Sequence, residues 1–91
     1  MNYNKIEEKH RDLIDVAISY MSSINDKEHD INHMDDVVEY TKILLDNVKI
    51  DVDPDVCIIC AYWHDVGRTK INKGHEKVSA EMLKEEMIKR N

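Results

Sequence analysis

Between Asp53 and Gly67 the chain carries a segment with almost no polar side, and this segment constrains every other part of the fold. Asp53-Pro54 is a helix start, with Asp as N-cap and Pro, which lacks an N–H, at the first helical position. Val56, Cys57, Ile58, Ile59, Cys60, Ala61, Tyr62 and Trp63 follow without a charge among them. A helix that is apolar all round belongs in the centre of a bundle, where other helices cover it. It is expected to run to about Asp65, with Gly67 ending it as a C-cap glycine does. Pro occurs once and Gly twice in the 91 residues, so helices are favoured over a turn-rich β fold.

The flanking sequence supplies the covering helices. From about Asn4 to Met21, the residues Ile6, Leu13, Ala17, Ile18 and Met21 recur at three- and four-residue spacing and make one apolar stripe. Ser22 to Asn32 is polar and reads as a loop. A second helix is predicted from about Asn32 to Val48, with Met34, Val37, Val38, Leu44, Leu45 and Val48 on one face and Asp30 or Asn32 as cap. Arg68 to Gly74 reads as a loop. A last helix starts at about His75; Ala80, Leu83 and Met87 share one face, Val78 and Met82 another, so two partners are needed. The expected fold is all-α, a small bundle of about four helices. A domain this short is marginal alone, and a bound metal or a second copy of the chain would add stability.

The formal charge of -6 and the absence of a basic stripe exclude wrapping by nucleic acid, which needs clustered Lys and Arg. A small phosphorylated substrate is compatible with this charge, because a metal supplies positive charge locally. No apolar run approaches the roughly 20 residues that span a bilayer, and the N-terminus lacks the apolar core of a signal peptide. No membrane association and a cytoplasmic location are expected. Cys57 and Cys60 form C-x-x-C inside the central helix, without the second pair a zinc site needs or the strand a redox motif needs, and read as small buried residues. Tyr62 and Trp63 read as core, with Trp63 able to wall a site beside His64. His10, on the first stripe, reads as a structural histidine.

Chemistry gathers at the helix ends. His33 opens the second helix, His64-Asp65 closes the third and His75 opens the fourth. Two polar residues at the end of the most buried helix need a reason to be there. Imidazole and carboxylate together suit Mn, Fe, Zn, Co or Ni, and Mg less well. Neighbouring helical residues point about 100° apart, so His64 and Asp65 converge on one ion only where the chain is about to turn. With His33 they make three ligands and leave open positions for water and substrate, the arrangement of metal-assisted hydrolysis. Against this stands a plain helical bundle in which the pair is structural. The dipeptide also occurs at His29-Asp30, where Asp30 reads as a cap.

Three segments together, His29-Asp30-Ile31-Asn32-His33, Ala61 to Arg68, and His75 to Glu81, resemble the HD-domain superfamily of metal-dependent phosphohydrolases, in order as well as spacing. The resemblance covers roughly Glu28 to Met87. It implies an all-α fold with His33, His64 and Asp65 as metal ligands, and His75 as ligand to a second ion in members that hold two. It implies one or two divalent ions and hydrolysis of a phosphomonoester, a phosphodiester or a nucleotide by attack of metal-bound water. Asp65 would be both ligand and catalytic residue, orienting that water. Arg68 is the best placed cation for a substrate phosphate, while Lys70 and Lys73 read as a solvated loop. The family's last Asp lies on a later helix, and nothing after His75 matches it; Glu81, Glu85 and Glu86 read as a solvated face. Asp35-Asp36 stand where many relatives carry Arg. The expectation is one HD-like domain over residues 1–91, cut short at its C-terminus and lacking the later helices. The alternative is a catalytically incomplete HD-like module acting in metal binding, regulation or protein interaction, with a homodimer through the last helix.

Overall fold

The computed structural model describes residues 2–26, 29–49 and 51–90. Among them there is no strand. The helices are α1 (Tyr3–Lys9), α2 (Arg11–Met21), α3 (Ile31–Asn47), α4 (Pro54–Trp63) and α5 (His75–Lys89), with a 3-10 turn at Val66–Thr69. The all-α reading holds. The fifth helix arises because the expected N-terminal helix breaks at His10, whose backbone (φ -111, ψ 24) leaves the helical region. The His10 ring meets Asp55 at the start of α4, Nε2 to Oδ2 2.8 Å. That hydrogen bond, aided by Lys9 at 3.4 Å, holds the Asp55 carboxyl below the usual carboxylate range. His10 is thus a satisfied structural histidine, at a joint rather than within a continuous stripe.

Both sequence-readable helix starts form as expected. Asp30 caps α3, its carboxylate accepting from the N–H groups of Asn32 and His33 at 3.0 and 3.3 Å. Asp53 caps α4 by accepting from Asp55 N–H at 2.9 Å, with Pro54 behind it. Helix α4 packs against α1, α2, α3 and α5. Ile58, Ile59, Ala61, Tyr62 and Trp63 join Ile14, Ala17 and Met21 of α2, Met34 and Val38 of α3, and Met82 of α5 in one core. Trp63 donates its indole N–H to the Leu13 carbonyl at 3.1 Å, which satisfies the one polar group the ring carries inward.

Several expectations on burial are corrected. The covered stripe of α3 runs Met34, Val38, Thr41, Leu45; Leu44 and Val48 lie off its edge and are exposed. On α4, Val56 and Cys60 face outward, so the helix is central but not covered all round. On α5 the Val78 and Met82 side packs inward, while Ala80 and Met87 are exposed and Leu83 is half-buried between. Gly67 is not a C-cap glycine in the left-handed region; among the described residues only Gly74 has positive φ, at 82°. Gly67 is small because the 3-10 turn lies directly on α5, its N–H donating to Ser79 Oγ at 2.7 Å.

An ion pair fastens α1 to α3. Lys42 Nζ lies 2.7 Å from Glu7 Oε1, and Tyr62 O–H donates to Glu7 Oε2 at 3.2 Å. Burial and then Glu7 push the Tyr62 hydroxyl up to about 12. No helix among the described residues is long and apolar enough to cross a membrane.

Candidate metal centre

Each predicted site residue sits where a helix begins or ends. His33 is in the first turn of α3, its backbone N–H held by Asp30. His64 is the residue after α4, and its Nδ1–H donates to the Ala61 carbonyl at 2.7 Å. A carbonyl can only accept, so Nδ1 carries the proton and Nε2 presents a lone pair to the site. Asp65 follows with φ -108 and ψ 3, outside the helical region. That turn in the chain lets two neighbouring side chains converge, as the ligand reading required.

Asp65 is the hub. It is 4% exposed, and its two oxygens serve different groups. Oδ2 lies 3.2 Å from His64 Nε2 and 3.7 Å from His33 Nε2. Oδ1 lies 3.0 Å from His75 Nε2 and 3.3 Å from Arg68 Nε. One donor atom from each of His33, His64 and Asp65 lies within 4.8 Å of the others, a spacing one ion can bridge. His75, buried at the start of α5, directs Nδ1 at the Asn72 carbonyl at 3.1 Å and reaches Asp65 from the side away from this trio. Arg68 is bound to the carboxylate rather than free. Lys70 and Lys73 are exposed.

These groups line a cleft of about 640 Å³. Its polar side includes His29, His33, His64, Asp65, Arg68 and His75; its apolar wall includes Cys60, Trp63, Ala80 and Leu83. Trp63 therefore serves both core and site. Two lining residues were missed in the sequence. Cys60, read there as buried, is exposed in the cleft one helical turn before His64; the i, i+4 spacing was the available signal. Partial desolvation of its sulfur by the cleft wall and then Cys57 raise the thiol above its ordinary value, so it is not a ready nucleophile. His29, set aside as a loop residue, stands with its ring 6.2 Å from that of His33. Of the acidic residues on α5, Glu81 and Glu85 are exposed, but Glu86 turns inward and pairs with Arg90 at 3.1 Å, against the expectation of a solvated face.

An all-helical frame brings two imidazoles and a buried carboxylate close enough together that one metal ion could be held between them. Among known protein families, residues 30–91 match the HD domain, and the chain belongs to that family. Searches of curated proteins and of solved structures found no match.

Proposed function

We propose that the chain is a metal-dependent phosphohydrolase of the HD type, acting on a small phosphorylated substrate or nucleotide. The observation that carries this reading is the trio His33, His64 and Asp65, with donor atoms within 4.8 Å at the base of an open cleft. The donor set suits Mn, Fe, Zn, Co or Ni better than Mg. The fixed His64 tautomer and the burial of Asp65 fit a divalent ion, because both present lone pairs to one point. A bound ion would supply an activated water and positive charge for a phosphoryl oxygen.

The chain's own residues do the rest. Asp65 holds its Oδ2 toward the trio while Oδ1 is fixed by His75 and Arg68, so the carboxylate cannot rotate away. Arg68 spends its Nε on Asp65, which leaves the other N–H groups of the guanidinium for a phosphoryl oxygen. A cleft of about 640 Å³ suits a small-molecule ligand. The wall of Cys60, Trp63, Ala80 and Leu83 would receive the organic part of the ester. One ion is the simplest reading; a second would use Oδ1 of Asp65 with His75.

The test is elemental analysis of the purified chain and of His64→Ala, followed by turnover of phosphomonoesters, phosphodiesters and nucleotides. About one bound ion in the wild type, lost in the variant, and release of phosphate from one substrate class is the expected result. Wild-type chain that stays metal-free after incubation with each ion sinks the reading.

A second reading is favoured by the open side of α5, where Ala80 and Met87 are exposed beside Leu83. An HD-like module that binds metal or a partner without turnover, forming a homodimer through α5, would use that side. Light scattering separates the two: a stable dimer dissociated by Met87→Lys, with no turnover of any phosphoester, favours the module.

A further inference from the structure

His29 is the one imidazole of the cleft that neither the ligand trio nor Asp65 accounts for. Resting on the metal reading above, we propose that His29 is a further protein ligand of the same ion, with Asp26 as its positioning partner.

Three observations carry it. First, His29 lines the cleft, and its ring stands 6.2 Å from the His33 ring, against 5.8 Å between His33 and His64. His29 is thus about as near to His33 as His64 is. Second, Nδ1 of His29 lies 2.7 Å from Asp26 Oδ2. A carboxylate only accepts, so Nδ1 carries the proton and Nε2 keeps the lone pair. Metal-bound histidines almost always have this support, one ring nitrogen on the ion and the other donating to a carboxylate or carbonyl. His64 has it from the Ala61 carbonyl; His29 has it from Asp26. Third, the His29 N–H donates to the Asp26 carbonyl at 2.9 Å, so backbone and side chain tie the two residues into one unit ahead of α3. His29 lies outside the three-group cluster, and ligation requires its ring to move inward. The side chain is 28% exposed, so packing does not lock it in place.

The assignment has a chemical consequence. With three imidazoles and one carboxylate, zinc has a position left only by expanding from four- to five-coordinate, whereas a six-coordinate ion keeps two. Mn, Fe, Co or Ni would then leave more positions for water and substrate than zinc does.

The experiment is titration of the full chain with Co²⁺, for wild type, His29→Ala, Asp26→Asn and His64→Ala. It is read by calorimetry and by the paramagnetically shifted imidazole N–H resonances of the loaded protein. Circular dichroism checks that each variant folds. The expected result is a loss of affinity of about tenfold or more in His29→Ala and a comparable or smaller loss in Asp26→Asn. One shifted N–H resonance of the wild type should also be missing from His29→Ala. Wild-type affinity and an unchanged set of shifted resonances in folded His29→Ala overturn the assignment, while His64→Ala still loses the ion. Failure of the wild type to bind Co²⁺, and each of the other ions in turn, overturns the metal reading and this inference with it.

Discussion

Gly67→Ala is expected to cost about 3 kcal/mol or more, the larger loss of the two glycine-to-alanine changes this chain allows. A Cβ at this position would lie 2.2 Å from the His75 carbonyl oxygen and 2.7 Å from the Ser79 nitrogen. Both are backbone atoms of α5, which cannot swing aside as a side chain would. The 3-10 turn must lift off α5, breaking the Gly67 N–H bond to Ser79 and parting Asp65 from His75. For a domain of this size the loss corresponds to a fall in Tm of about 12–24 °C. Gly74→Ala is the control. Its φ of 82° strains any L-residue, but nothing lies within 4 Å of the added Cβ, so the cost is about 1 kcal/mol. Thermal melts of the two variants side by side decide the matter. Equal losses would mean that backbone conformation, not the approach to α5, explains Gly67.

The second large effect concerns Asp65→Asn. The amide keeps the size of the side chain and an oxygen for Arg68 and His75, so the chain should fold without metal. The negative charge facing His33 and His64 is gone, and with it the anionic ligand. A site that binds only the folded state stabilises it by about 2.7 kcal/mol when the free ion stands at 100 times its Kd. In a domain this small that is a rise in Tm of about 10–20 °C. The wild type should show this rise with Mn²⁺ or Co²⁺, and Asp65→Asn should show almost none. A variant that keeps the full metal-dependent rise would remove Asp65 from the site.

Much of this architecture is written in local signals. Asp30 and Asp53-Pro54 act through neighbouring backbone N–H groups, so both helix starts are legible. The apolar density of α4 announces a central element, and the polar pair after it announces a site. What stays illegible depends on contacts made at a distance. His10 is an ordinary helical residue until Asp55, far along the chain, receives its ring. Gly67 looks like a helix stop, because the α5 backbone that forbids a side chain there is invisible in one dimension. Cys60 and Val56 sit in a segment apolar on every side, and periodicity cannot say which side remains uncovered when no side is polar. The edge of the α3 stripe is illegible for a similar reason, since Leu44 and Val48 are apolar without being covered. His29 is hidden by its neighbour Asp30, whose role as a cap accounts for the dipeptide.

Trp63 is the chain's only tryptophan, and it is 2% exposed. Its indole is held by the Leu13 carbonyl, meets Tyr20 edge-on at a centroid distance of 6.3 Å, and borders the cleft next to His64. A single emitter thus sits against both the core and the ligand cluster. Its colour reports whether the core is closed to water, and its brightness would respond to a paramagnetic ion bound at the neighbouring His64. The domain carries a built-in optical gauge in which folding and occupancy of the site are read separately, without a label and without altering a residue.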